Sequence, residues 1–193
     1  MLKMPELQYV SYKDGRLAYR EAGKGPDLFF LHGMNGSSRS WFHIFEVLAP
    51  SFHVVAWDAP SFGASDVFGD KIEDYVDAAK ALMQAVKIRE AIVVGHSMGG
   101  VIATQLAADR ECSTAGLVLS STHLGFGLPA SAPLMARYAT RIDHIKSEGV
   151  DTAYGLERAK RNTPEGTSQA VIRFLAEIAS GARIEGIRDG GRM

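Results

Sequence analysis

The chain has 193 residues, 46% of them hydrophobic and 22% charged, which suits one domain with a substantial core and excludes a disordered or fibrous protein. A formal net charge of −1 leaves no basic footprint for nucleic acid or an anionic membrane, so a small organic substrate or a protein partner fits better. Cys112 is the only cysteine, which excludes an intrachain disulfide and fits a reducing compartment.

The opening stretch, Met1-Leu2-Lys3-Met4-Pro5-Glu6, lacks an apolar h-region, and no apolar run reaches spanning length, which predicts a soluble, cytoplasmic protein. Residues 7–10 and 17–20 are strand candidates around Lys13-Asp14-Gly15-Arg16, and Asp-Gly between such runs signals a hairpin. After the turn cluster Gly23-Lys24-Gly25-Pro26, Asp27-Leu28-Phe29-Phe30-Leu31 reads as a buried strand ending in His32-Gly33-Met34-Asn35-Gly36. Ser40 can cap a helix whose Trp41, Ile44, Phe45 and Leu48 share one face, stopped by Pro50. His53-Val54-Val55-Ala56-Trp57 is the next strand, followed by the loop Asp58-Ala59-Pro60-Ser61-Phe62-Gly63-Ala64-Ser65. Asp70 and Glu73 have capping-box spacing ahead of an apolar stripe (Ile72, Tyr75, Val76, Ala79, Leu82, Met83, Val86) that predicts an amphipathic helix.

Ala91-Ile92-Val93-Val94 then leads into Gly95-His96-Ser97-Met98-Gly99-Gly100, with a helical pattern over 101–108. A serine between a buried strand and a helix, with glycine two positions to either side, describes a strained turn. Such a turn holds the hydroxyl out at the C-terminal edge of a sheet. Serine at that junction could merely cap the helix. The flanking glycines, which a cap does not need, favour a nucleophile. Ala115-Gly116-Leu117-Val118-Leu119 is a further strand. Strands alternating with helical patterns predict a mostly parallel, doubly wound α/β sheet behind a short antiparallel start.

No strand-like run follows Leu119. Leu134, Met135, Tyr138, Ile142 and Ile145 form a helical stripe, and Tyr154, Leu156 and Ala159 suggest a second, short piece. Thr163-Pro164 reads as the start of a third helix carrying Val171, Phe174, Leu175 and Ile178 as far as Gly181. Residues 184–193 are too short and glycine-rich to assign. The expected organisation is a sheet core over residues 1–121 and a helical cap over 122–193.

Together, in this order, four features resemble the α/β-hydrolases over most of residues 7–193. They are the strand ending in His32-Gly33, the Asp58-x-Pro60-x-x-Gly63-x-Ser65 loop, the Gly95-His96-Ser97-Met98-Gly99-Gly100 elbow, and Leu117-Val118-Leu119 before a helical cap. The form of the elbow and the cap length are most similar to small carboxylesterases and the 3-oxoadipate enol-lactonase group; C–C hydrolases and haloperoxidase-like members are similar too. Ser61 departs from the family loop, which usually carries glycine there. The resemblance implies a serine hydrolase of a small carboxylic ester or lactone. Ser97 would be the nucleophile, with the backbone N–H groups of Met34 and Met98 as oxyanion donors, although both side chains could equally be core filler.

His32, Gly33, Asp58, Gly95, His96, Gly99 and Gly100 are expected to support that site structurally. His96 adjoins the nucleophile, but a neighbour in a sharp turn points away from it. Asp58 precedes the serine, whereas the acid of this family follows it. No metal or organic cofactor is implied, because no His/Cys/Asp cluster has ligand spacing.

The family order also places acid and histidine beyond the cap, after two more strands. Only His123 and His144 follow Ser97, and two strand–helix units would need about 55 residues. The chain is therefore expected to end inside or just after its cap, without the last two core strands and without a recognisable acid and base. His123, after the last strand, is a substitute candidate, though a pocket-lining or solvent-facing histidine is the plainer reading. Hydrolysis of an activated ester is expected to stay near background, and the exposed sheet edge to invite self-association. A catalytically inactive binding scaffold is the alternative.

Overall fold

The computed structural model describes residues 4–129 and 131–193, so residues 1–3 of the opening stretch lie outside it. A hairpin comes first, β1 (Gln8–Tyr12) pairing antiparallel with β2 (Gly15–Ala22). Then β3 (Asp27–Leu31), β4 (His53–Trp57), β5 (Glu90–His96) and β6 (Ser113–Ser120) alternate with α1 (Phe42–Leu48), α2 (Ile72–Ala85) and α3 (Met98–Ala108). The strands form one sheet ordered β1-β2-β4-β3-β5-β6, antiparallel up to β4 and parallel beyond it. This is the doubly wound sheet behind an antiparallel start that the alternating pattern predicts.

Side chains alternate across the sheet with a period of two. Phe29, Leu31, Val55, Trp57 and Val93 share one core with Tyr75, Leu82, Ile102 and Leu106 of α2 and α3. Leu28, Phe30, Val54 and Ala56 share the other with Phe45 of α1. Burial on both faces is why these strands read as continuous apolar runs. From β3 the chain goes to β4 and then crosses to β5 on the far side of β3, so the strand order reverses between β3 and β5. The crevice at the C-terminal ends of two such strands is where open α/β sheets bind ligands. On its outer side β6 has no strand partner among the described residues, and its Leu117, Val118 and Leu119 are 39%, 48% and 46% exposed.

The second half is helical: α4 (Ala136–Glu148), α5 (Thr152–Arg161), α6 (Gln169–Ala179) and α7 (Ile184–Gly190). Tyr138, Ile142 and Ile145 of α4 pack with Ile187 of α7. The crossing of α5 on α6 is close, since a Cβ on Gly155 would lie 2.3 Å from the Ala176 carbonyl oxygen. α6 reaches back to the core through Phe174 on Phe42 (6.2 Å) and an Arg39–Glu177 ion pair of 2.9 Å.

Several local readings are corrected. Ser37, not Ser40, caps the first helical segment, a 3-10 turn over Ser38–Trp41; its Oγ accepts from the Arg39 N–H, and Ser40 Oγ accepts from the Ser37 N–H, both at 3.2 Å. At α2 the carboxylate that turns back is Asp74, not Glu73: its Oδ2 accepts from the Lys71 N–H at 3.2 Å and the Asp70 N–H at 3.3 Å. Thr163-Pro164 does not begin α6. Thr167 Oγ1 donates to the Pro164 carbonyl (2.7 Å) to close a separate turn, and Ser168 caps α6 at the Val171 N–H. The unassigned tail forms α7, with Ile187 and Asp189 fully buried, and Met193 joins the main core.

Ser61, the departure noted in the loop, sits at φ 67°, in the left-handed region that glycine occupies without strain. Its Oγ is buried, and the polar group that bears on it is the Tyr75 hydroxyl, which makes no well-formed hydrogen bond of its own. Ser61→Gly is expected to raise stability by about 0.5–1 kcal/mol, read as a melting temperature a few degrees higher. An unchanged or lower melting temperature would show that the loop bears no strain at this position.

Candidate active site

The junction of β5 and α3 is fixed from every side. Ser97 has φ 53° and ψ −119°, an unfavourable backbone for a non-glycine residue that persists only where surroundings over-determine it. Here its N–H donates to the Ser120 carbonyl at 3.0 Å, and its own carbonyl accepts from the Gly100 N–H (2.8 Å) and Thr122 Oγ1 (2.7 Å). The helix also jams against the neighbouring strands. A Cβ on Gly99 would lie 2.1 Å from the Leu31 carbonyl oxygen, and one on Gly95 2.5 Å from that of Gly99. Ser97 stands at the N-cap position of α3, yet its hydroxyl makes no capping hydrogen bond. That removes the simplest alternative use for a serine at this place.

Opposite lies the segment after β3. A Cβ built on Gly33 would be 3.0 Å from Ser97 Cβ and 2.8 Å from His96 Nδ1, which measures how closely the two turns approach. Gly33 to Gly36 is a tight turn (N–H to carbonyl 2.9 Å), with Asn35 at φ 63°. Neither the Met34 nor the Met98 N–H has a backbone partner among the described residues. Both side chains pack on α7, where a Cβ at Gly190 would lie 2.6 Å from Met98 Sδ and 2.9 Å from Met34 Cε.

His32 is buried beneath this turn. Its Nε2 accepts the Ala59 N–H at 3.0 Å, so the proton is on Nδ1, which donates to the Gly33 carbonyl at 2.8 Å. Burial lowers its pKa, which keeps the ring neutral and this bond pattern intact. Asp58 is buried at the end of β4: Oδ1 accepts from the Ser38 N–H (2.7 Å), and Oδ2 from the Ala64 N–H (2.8 Å). His96, expected to support the elbow structurally, lies with its ring against the Gly33 turn while remaining exposed, and it lines a cleft.

That cleft has a volume of about 360 Å³. Gly33, Met34, Trp41, His96 and Ser120 line its core side, and Arg158 and Ile178 its α5–α6 side. The lining thus includes the neighbours of Ser97 rather than Ser97 itself. A larger cavity of about 470 Å³ lies away from the elbow, between α2, α3 and Met193.

Neither later histidine is hydrogen-bonded to Ser97. His123 accepts from the Gly125 N–H through Nδ1 (3.0 Å) and stacks on Phe126 at 4.4 Å. His144 lies on α4 against Tyr154, its Nδ1 3.9 Å from Glu148. Among the described residues, no group of three or more His, Cys, Asp or Glu could hold a metal ion, and no helix is long and apolar enough to cross a membrane. Sequence reasoning missed Arg158, a buried cation in the cleft. The signal was its place four residues after Tyr154, on the apolar face of α5.

Residues 28–186 match the family model described as "Alpha/beta hydrolase family". A putative non-heme haloperoxidase of Mycobacterium phage D29 is 32% identical over 177 residues, covering 87% of this chain and 63% of the phage protein. The chain thus spans only part of such relatives, 63% of the phage protein and 31% of an uncharacterized Mycobacterium bovis protein. The enol-lactonase from Burkholderia xenovorans LB400 superposes with a TM-score of 0.79 at 19% identity, covering 96% of this chain and 72% of that one. A hydrolase from Pseudomonas aeruginosa PA01 does so at 0.78 and 22%, covering 96% and 71%. These structures share the fold, and the family match extends over β3 to β6, the elbow and the helices as far as the start of α7. The chain belongs to the alpha/beta hydrolase family.

Proposed function

We propose that Ser97 is the nucleophile of an acyl transfer on a small carboxylic ester or lactone. The observation that carries this reading is a hydroxyl held on a strained turn at the β3–β5 crevice with no capping bond to make. Ser97 Oγ would attack the carbonyl carbon while the Met34 and Met98 N–H groups, unpaired in the backbone, receive the developing oxyanion. His32, Asp58 and the glycines at 33, 95, 99 and 100 act by holding these turns in place. We read α4–α6 as a cap over the cleft. The single cysteine supports a reducing, cytoplasmic setting.

No described histidine is hydrogen-bonded to Ser97, so acylation is slow and deacylation slower. Incubation with p-nitrophenyl acetate, followed by intact-mass and peptide mass spectrometry, is expected to reveal a slowly formed acetyl group on Ser97. Hydrolysis should stay near background, and Ser97→Ala should remove the adduct. Acetylation that avoids Ser97, or persists in Ser97→Ala, would overturn the assignment. Ordinary esterase turnover abolished by Ser97→Ala would instead identify His123 as a working base.

The exposed apolar edge of β6 favours a second reading, a binding scaffold whose sheet is extended by another copy or a partner. Sedimentation at increasing concentration tests it: a monomer throughout removes self-association.

A further inference from the structure

Residues 184–193, α7 and the turn after it, lie directly on the elbow. A Cβ at Gly190 would be 2.6 Å from Met98 Sδ and 2.9 Å from Met34 Cε, so α7 covers the side chains of the two residues whose N–H groups are assigned to the oxyanion. Ser97 lines neither the cleft nor the larger cavity, although His96 and Ser120 beside it line the cleft.

Little apolar surface holds this segment down. Ile184 and Ile187 are the large apolar side chains of α7, and Met193 adds one beyond it. The Phe126 and Gly127 N–H groups donate to the Met193 carbonyl, and the Leu128 N–H to that of Arg192 at 3.0 Å. Against these contacts stands a buried polar cluster. Asp189 is fully buried; its Oδ1 accepts from Arg188 Nε at 2.6 Å, on a side chain 36% exposed, while Oδ2 has no partner among the described residues. α7 rests on the loop after β4, where a Cβ at Gly186 would lie 2.7 Å from Phe62 Cζ and 2.9 Å from the Ser61 carbonyl oxygen.

The Ser61 Oγ and the Tyr75 hydroxyl are buried there as well, neither with a well-formed hydrogen bond. Burial, and then the Asp189 charge, raise the Tyr75 pKa, which sets the two groups close together. Burial also raises the Asp189 pKa, against the pull of Arg188. A charge taken out of water and polar atoms left unpaired both oppose docking. A segment with few apolar contacts and such a cluster beneath it opens locally, without unfolding of the core.

We propose that residues 184–193 form a displaceable plug on the elbow, whose lifting uncovers Met34 and Met98 and admits an ester to Ser97. The seated plug makes the protein self-inhibited, and the cluster at Asp189 keeps the seat weak enough to be left. Admission of the ester rests on the reading of Ser97 above; the lifting does not.

Two variants of the full chain shift this balance in opposite directions without altering Met34, Ser97 or Met98. Asp189→Asn removes the buried charge and puts a donor where an oxygen is unpaired, which tightens the seat. Gly186→Ala drives a methyl group into Phe62 and the Ser61 carbonyl, which loosens it. Three rates follow the plug: hydrogen exchange at the Phe126, Gly127 and Leu128 amides, sulfoxide formation at Met98 in dilute hydrogen peroxide, and acetylation of Ser97 by p-nitrophenyl acetate. All three are expected to be about tenfold slower in Asp189→Asn and about tenfold faster in Gly186→Ala, the scale of one buried polar group left unpaired. Wild-type protection of the β5 amides shows that each variant is folded. If Gly186→Ala does not fold, Asp189→Asn carries the test alone. Exchange and oxidation that stay level in the folded variants, or that quicken in Asp189→Asn, would overturn the plug. So would acetylation that stays level while the other two rates move. Exchange and oxidation that move together in a chain whose Ser97 takes no acetyl group would keep the plug and discard only the nucleophile.

Discussion

Gly99→Ala is expected to cost about 4 kcal/mol or more, enough to leave much of the chain unfolded at 25 °C. The added methyl would meet the Leu31 carbonyl oxygen at 2.1 Å, the Leu31 carbonyl carbon at 2.5 Å and the His32 oxygen at 2.7 Å. All three are backbone atoms, so no rotamer change relieves the overlap. Leu31 is registered against Gly95 in the β3–β5 ladder, and the helix start is tied to Ser120 and Thr122, so neither side yields alone. Gly116→Ala is the matched control. Its new methyl would find Ile92 Cγ1 at 3.6 Å, an ordinary contact, and the cost should stay within about 0.5 kcal/mol. Urea midpoints of the two variants against the wild type decide it. A Gly99→Ala protein as stable as Gly116→Ala would mean that the elbow has room, and that the strain at Ser97 is not enforced by β3.

That packing explains why the core was readable from sequence and other parts were not. Strands β3 and β4 are buried on both faces, so each appears as a dense apolar run, and Gly95, Gly99 and Gly100 mark a place where helix and strand backbones meet. Sequence spacing alone does not locate the caps, because chemically similar residues stand close together: Ser37 near Ser40, Asp74 beside Glu73. Local turn geometry chose between them. At Pro164 the turn closed by Thr167 detaches the proline from the helix that Ser168 caps. The α7 helix was illegible for a different reason. It offers only Ile184 and Ile187 as large apolar residues, and docks by the closeness that Gly186 and Gly190 permit against Phe62 and Met98. No periodicity of large side chains records such a contact. Arg158 was hidden because a charge at one position of a short helix reads as solvated until the neighbouring helix is seen to cover it.

Asp58→Ala is expected to be the most damaging of the polar substitutions. Its two carboxylate oxygens take the Ser38 and Ala64 N–H groups at 2.7 and 2.8 Å inside the protein, at 3% exposure. Hydrogen bonds to a charged group contribute about 1.5–3 kcal/mol each, and the alanine leaves two buried donors unpaired, so a loss of about 3–6 kcal/mol is expected. Asn is the finer probe, because it preserves shape but turns one acceptor into an NH2 group facing an N–H. Its cost should fall between those of Ala and the wild type. Ser38 follows directly on the turn that carries Met34, while Ala64 belongs to the loop whose Ala59 N–H is held by His32. Releasing Asp58 therefore loosens the oxyanion side of the crevice from two directions. Hydrogen exchange should show the Ser38 and Ala64 amides losing protection before the β5 amides do. Acetylation of Ser97 in the folded Asn variant should slow along with it. An Asp58→Ala protein within about 1 kcal/mol of the wild type would show that these short contacts add little beyond what water supplies.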